Sequence, residues 1–371
     1  MYMGRKTYKN RWKKNLLTFF SIFFILLSAC GSTPPEAEAQ SGSTGKIEEL
    51  EVHFIDVGQG DAALVKCGGQ SMLIDAGEND KGTLVQNYIR KQGVKKLDYL
   101  IVTHPDSDHC GGADVIITKY DVDTVIMPNY SKDTASYRDV VQALDYKHYQ
   151  VTEPKVGDIY RLGDAKFTII APNKDDYGNE ANNYSVGILL EHGGKKFVFT
   201  GDAEEEAERD IMNNGIDLSA DVLKAGHHGS RTASMGDFVS AVCPEYAVIS
   251  CGEDNEYGHP HAATLNTFRA MGIKVFRTDE QGSLIACSDG SEITWNAPPS
   301  DTWKAGEPGL SGSNATVKQG SKGVTYILNT KTKKFHKPSC DSLPTENRDD
   351  SAQSREEVIA QGYAPCGRCN P

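Results

Sequence analysis

Two histidines and two aspartates crowd into six residues of the run Thr103-His104-Pro105-Asp106-Ser107-Asp108-His109-Cys110-Gly111-Gly112. Side chains this close cannot all point away from one another. Left alone the carboxylates repel; a divalent cation removes the repulsion and gives each group a role. The order His, Asp, Asp, His at i, i+2, i+4 and i+5 lets one loop feed two metals. The bland alternative is a solvated acidic turn with capping aspartates. Histidines at both ends, the apolar stretch DYLIVTH before them and Gly-Gly behind count against it. Paired cations lower the pKa of a shared water and stabilise charge on an attacked phosphoryl or acyl oxygen. The chemistry implied is hydrolysis, with no further cofactor.

Such a loop needs a sheet edge behind it. The segments LEVHFIDV, SMLID, DYLIVTH, DTVIMP, KFTIIAP, YSVGILLEH, KKFVFTGD, ADVLKAG and YAVIS read as strands, with GQGD and CGGQ as turns. Helical patterns fall over residues 81–93, 135–148, 203–213 and 262–271. This interleaving predicts an α/β protein whose sheets are covered by helices, rather than an all-β sandwich. Further candidates sit near the strand ends. Asp61 in GQGD can reach a metal rim or serve as an ordinary turn carboxylate. Asp75 in LIDAG reads as a group that fixes the metal loop by accepting backbone hydrogen bonds. His259 and His261 in YGHPH can gate or bind substrate or be inert, with His259 the better candidate. Cys110 reads as a small filler, and His53, His148 and His192 as structural residues of a strand, a helix and a strand end.

The run HPDSDHCGG resembles the H-x-H-x-D-H motif of the metallo-β-lactamase superfamily, with Asp106 in place of the second histidine. Together with VHFIDVGQGDA, LIDAG, FVFTGDAE, LKAGHHGS and YGHPH, in order from about Leu50 to Trp295, it resembles the hydrolase domain of the competence DNA-uptake family ComEC. The resemblance implies an αββα sandwich over residues 48–296. It implies that His104 and Asp106 bind one metal and Asp108 and His109 another, with Asp202 bridging. His228, with His227 as its rival, would add a ligand or face the substrate. Asp108, Asp202 and His228 become the catalytic candidates. Family members carry a histidine before the bridging aspartate; Asn182-Asn183-Tyr184-Ser185 stands there instead, so that ligand is absent or replaced by Asn183. An oxygen-rich donor set makes manganese a competitor to zinc.

A second cluster closes the chain. His336 and Cys340 are spaced H-x-x-x-C, and Cys366 and Cys369 C-x-x-C, a donor set suited to one tetrahedral zinc. A segment over residues 323–371 can hardly build a stable core, so a metal staple makes physical sense. A disulfide between two of these cysteines is the alternative. The stretch resembles the zinc-binding domain of the Ada DNA-repair protein, whose four ligands are all cysteine. His336 in the first position puts thiolate methyl-acceptor chemistry in doubt. A DNA-contacting role comes by analogy only.

The N-terminus reads as an address. Basic residues precede an apolar run over 16–27, and Leu27-Ser28-Ala29-Cys30 follows. This resembles a lipoprotein signal over residues 1–29, with Cys30 lipidated. The run is shorter than the ~20 residues a spanning helix needs. Residues 30–47 and 297–322 are Pro-, Ser- and Gly-rich and read as a tether and a linker. The chain is thus expected outside the cytoplasm on a lipid anchor, with no channel region of its own. Net charge is −12, and six of the 39 Lys and Arg precede the apolar run, leaving 33 against 51 acidic residues in the rest, about −18. An acidic body is not the usual footprint of an avid nucleic-acid binder. Five cysteines (Cys67, Cys110, Cys243, Cys251 and Cys287) show no disulfide framework, and an odd number cannot all pair with one another. The leading reading is a surface metal-dependent phosphodiesterase or nuclease acting on DNA or another phosphodiester. Hydrolysis of small esters, lactones or β-lactams is the alternative enzyme, and a non-catalytic DNA-binding surface protein the alternative to any enzyme.

Overall fold

The computed structural model describes residues 47–306, 326–337, 340, 342–351, 358, 363–366 and 368. The signal segment, residues 30–46 of the tether with Cys30, and Cys369 lie outside these, as do residues 307–322 of the expected linker.

Two sheets carry the main domain. One has eight strands, in edge-to-edge order Ile293–Trp295, Leu284–Ser288, Leu50–Phe54, Ala63–Cys67, Gln70–Ile74, Leu97–Ile101, Val122–Ile126 and Val151–Thr152. The other has seven: Lys274–Arg277, Tyr246–Ile249, Val222–Lys224, Lys195–Phe199, Gly187–His192, Ala165–Ala171 and Ile159–Leu162. Side chains alternate across a strand, and here the alternation sorts residues into three layers. Phe54, Val65, Met72, Phe167, Phe197 and Phe276 meet between the sheets. Leu64, Leu73 and Leu100 point outward onto the helices Gly82–Lys91, Ala113–Lys119 and Ala135–Lys147. Leu189, Val198 and Leu223 face Glu205–Asn213, Gly236–Val242 and Ala262–Ala270 on the other side. The result is the αββα sandwich that the sequence motifs implied.

Each sheet holds a run of parallel strands, Gln70–Ile74 to Val151–Thr152 in one and Lys195–Phe199 to Lys274–Arg277 in the other. Parallel strands deliver their C-terminal ends to one edge, where ligands bind in open α/β sheets. All the motif loops emerge there. His148, expected inside a helix, is the left-handed cap just past Lys147, with φ 56. The packed structure also continues beyond Trp295. Ser300 donates its N–H to Val275 O at 2.7 Å, and Trp303 and Ala305 pack on the second sheet's helical layer, so the first residues of the expected linker belong to the domain surface.

In the C-terminal segment a four-stranded sheet orders Arg348–Ser351, Tyr326–Asn329, Lys334–His336 and Ala364–Pro365 around Tyr326, Leu328, Phe335, Val358 and Tyr363. Among the described residues no helix is long and apolar enough to cross a membrane.

Candidate metal centre

The metal loop leaves the strand Leu97–Ile101 and turns into the short helix Ser107–Cys110. Asp75, at the end of the neighbouring strand, is fully buried and fixes it. Its Oδ1 accepts the Thr103 N–H at 2.8 Å, its Oδ2 accepts the Thr103 hydroxyl at 2.7 Å, and the same Oδ2 faces His109 Nδ1 at 2.8 Å. Gly60 presses against this loop from the GQGD turn. Its φ is +129, and a Cβ there would sit 2.4 Å from Asp108 O. From the second sheet Gly201 turns with φ +54 beneath Asp202; a Cβ would meet Ser185 Oγ at 2.9 Å.

Asp61, His109, Asp202 and His228 bring one ligand atom each within 4.8 Å of one another, and all four are buried. The tautomers follow from the outer ring nitrogens. His109 Nδ1 faces Asp75, and His228 Nδ1 faces Ser250 O at 3.0 Å, so both donate outward. His104 Nδ1 faces the Thr103 hydroxyl at 3.1 Å and the Ser185 hydroxyl at 3.3 Å. Thr103 already donates to Asp75, so His104 donates to it. In the neutral rings the three Nε2 atoms are left as lone pairs. Two of them, on His109 and His228, stand 3.2 Å apart, and His109 Nε2 lies 3.1 Å from Asp202 Oδ1. His104 Nε2, Asp202 Oδ1 and Asp61 Oδ1 are buried with no hydrogen-bond partner. Acceptors converging in a dry pocket without donors call for a cation.

Protons compete with a cation for the same lone pairs. Burial alone would drive protons off His109 and His228, but Asp202 and Asp108 outweigh it and hold both imidazoles well above their ordinary pKa. Burial would raise the Asp202 carboxyl; His109, His228 and His227 instead hold it well below the usual range. Asp108 is likewise pulled down by His109 and His228 against its burial, and its side chain keeps 23% exposure on the open side. His104 is held neutral by burial and by His109. The donor set therefore fits one or more divalent cations.

The other expected ligands are placed differently. His104, Asp106 and Asp108 stand outside the four-atom group, and Asp106 Oδ1 accepts from Lys132 Nζ at 2.6 Å. Asn183 Oδ1 accepts the Glu204 N–H at 3.0 Å, while Ser185 Oγ takes the Asp202 N–H at 3.1 Å. Of the two adjacent histidines, His228 enters the group and His227 stays at the rim, its Nδ1 3.1 Å from Glu204. Both adopt left-handed backbone, φ 48 and φ 55, which costs roughly 1–2 kcal/mol each. His259 is buried behind them, and its burial followed by His228, His227 and His261 pushes its pKa down to about 3.

Three residues to which the sequence reasoning gives no role complete the surroundings. Lys224 is buried, and its Nζ meets Asp61 Oδ2 at 2.8 Å; burial would raise the Asp61 carboxyl, but Lys224 and His228 bring it down to about 2. A lysine inside the otherwise apolar strand VLK was the available signal. Glu208 is fully buried and accepts the backbone N–H groups of Ser234 and Met235, tying down the loop after His228. Thr103 links Asp75 to both loop histidines, and nothing local in the sequence marks it.

In the C-terminal sheet, ligand atoms of His336, Cys340 and Cys366 lie within 4.8 Å of one another, and His336 Nδ1 is buried without a hydrogen-bond partner. Cys67, Cys110, Cys243, Cys251 and Cys287 are free thiols.

Residues 55–253 match the Metallo-beta-lactamase superfamily. ComE operon protein 3 of Bacillus subtilis (strain 168) is 33% identical over 258 residues, 64% of this chain and 33% of that protein. Competence protein ComA of Neisseria gonorrhoeae is 32% identical over 266 residues, 70% of this chain and 34% of that protein. Recombination protein 2 of Haemophilus influenzae is 29% identical over 239 residues, 63% of this chain and 28% of that protein. The chain spans about a third of the length of these relatives. The matches bear out the resemblance to the ComEC hydrolase domain.

Proposed function

The chain belongs to the metallo-beta-lactamase superfamily, and from that premise we propose that it is a surface phosphodiesterase, cutting DNA or a related phosphodiester. The observation that carries the reading is the convergence of buried ligand atoms of Asp61, His109, Asp202 and His228 within 4.8 Å of one another, with the His104 ring 4.2 Å from that of His109. Competence proteins among the relatives support a DNA substrate.

Asp61, His109, Asp202 and His228, with His104 and Asp108 beside them, would hold zinc or manganese, which would supply Lewis acidity and lower the pKa of a water. The chain's own residues do the rest. Asp108, on the open side, orients the attacking water and takes its proton. Asp75 keeps the His109 tautomer that leaves Nε2 free. Lys132, anchored on Asp106 at the rim, meets phosphate charge. The same reading takes in a Cys30 lipid anchor outside the cytoplasm and one structural zinc held by His336, Cys340, Cys366 and Cys369.

Labelled single- and double-stranded DNA incubated with the protein and manganese, zinc or neither tests the proposal, beside Asp202→Ala. Metal-dependent cleavage lost in the variant is the expected result. Intact DNA in the presence of a metal-loaded centre overturns it and transfers the chemistry to small esters, lactones or β-lactams.

A further inference from the structure

Tyr257 is 56% exposed, although its neighbour His259 is only 4% exposed. Their rings stack at 5.7 Å with planes 20° apart. His259 packs in turn against His228 at 5.9 Å and His227 at 5.4 Å. Tyr257 therefore stands one ring removed from a histidine of the metal centre.

The segment beneath the ring is held firmly. Asn255 Nδ2 donates to Gly252 O at 2.8 Å and to His259 O at 2.6 Å, and Asn255 Oδ1 accepts the His259 N–H at 2.9 Å. Gln59 reaches across from the GQGD turn, accepting the Gly252 N–H at 3.2 Å and meeting His259 Nδ1 at 3.3 Å. An open aromatic is thus pre-positioned at the mouth of the site, and ordering it on binding costs little entropy. The same loop exposes Glu253, Asp254 and Glu256, which repel a phosphate backbone laid along it. What the loop offers an anionic strand is a neutral ring.

We propose that Tyr257 is a nucleobase-stacking subsite, on which the base beside the scissile phosphodiester lies; the inference rests on the phosphodiesterase reading. Every base has a π-face, so such a contact tolerates sequence and holds a strand without added positive charge. It gives an acidic protein a way to grip single-stranded nucleic acid.

The test compares two single strands of equal length, one of thymidines and one of abasic tetrahydrofuran residues, cleaved by the full chain with manganese. Wild type is expected to show a KM about tenfold lower for the strand with bases. Tyr257→Ala brings that ratio close to one through KM rather than kcat, Tyr257→Phe keeps it, and Tyr146→Ala, an exposed tyrosine on the outer helix Ala135–Lys147, keeps it as well. An unchanged ratio in Tyr257→Ala overturns the subsite. A ratio lost in Tyr257→Phe overturns it too, since the hydroxyl would then be the contact. Wild-type cleavage of both strands alike removes the subsite and leaves the phosphodiesterase reading standing; no cleavage of either removes both.

Discussion

Asp75→Asn removes one charge and changes no shape. Asp75 has φ 58, a backbone conformation that asparagine also tolerates, so the perturbation stays in the side chain. Three donors surround the carboxylate: the Thr103 N–H at 2.8 Å, the Thr103 hydroxyl at 2.7 Å and His109 Nδ1 at 2.8 Å. Asparagine has one oxygen for them. If that oxygen stays on the Thr103 N–H, the new NH2 faces the hydroxyl and His109. The hydroxyl can turn to accept; His109 Nδ1 can accept only by moving its proton to Nε2, where the lone pair for the metal should be. If the amide flips, the buried Thr103 N–H is orphaned, at roughly 1–3 kcal/mol. Either way metal affinity is expected to fall roughly 10- to 100-fold, the usual effect of losing the partner behind a ligand histidine. The lost stability lowers Tm by about 2–4 °C per kcal/mol for a domain of this size. Titration calorimetry with manganese and zinc, and thermal unfolding with and without metal, read both effects. Unchanged metal affinity in a variant with the wild-type circular dichroism spectrum would refute the reasoning.

Three other perturbations follow from buried groups. Burial of Glu208 in its helix pushes its pKa up to about 8 from an unfolded 4.5, so the folded state keeps a proton that the unfolded state has released in between. Stability from this group is full below pH 4.5 and is lost as pH rises through 8; urea unfolding at pH 5.5 and 9 should show a drop in wild type that shrinks in Glu208→Gln, and an equal drop in both refutes it. Lys224→Met leaves the Asp61 carboxylate buried and unpaired, at roughly 3–5 kcal/mol, so its denaturation midpoint should fall well below that of Lys274→Met, which breaks an exposed pair with Glu245. Cys340→Ser should remove one zinc per chain by elemental analysis and speed proteolysis C-terminal to residue 322, leaving the metal content of the large domain as it was.

What the sequence made legible is what is local. HPDSDH announces itself because its donors are neighbours in the chain, and strands such as KKFVFTGD because apolar β-branched and aromatic residues run unbroken. The strand Leu284–Ser288 went unread: it is short, ends in Cys287 and Ser288, and acquires its place by pairing with Leu50–Phe54 at the other end of the domain. The helix Ala113–Lys119 was hidden by following directly on the metal loop. Partners of the site were missed for the same reason. Ser185 lies 81 residues from His104, and Lys224 lies 163 from Asp61. Asp106 shows the reverse. The motif marks it as a ligand, and its partner Lys132, which meets it in space, is 26 residues further along.

The donors of the centre are divided between the sheets, with His104, Asp108 and His109 on loops of the first and Asp202 and His228 on loops of the second. A cation shared by them is therefore a rivet through the sandwich. Held from both layers, it would be weakened by any opening of the sandwich, and its binding would oppose their separation. Free metal at 100 times its dissociation constant would stabilise the closed form by about 2.7 kcal/mol. An ion that equipped the site would also lock the shell around it, so metal starvation would expose the chain to proteases.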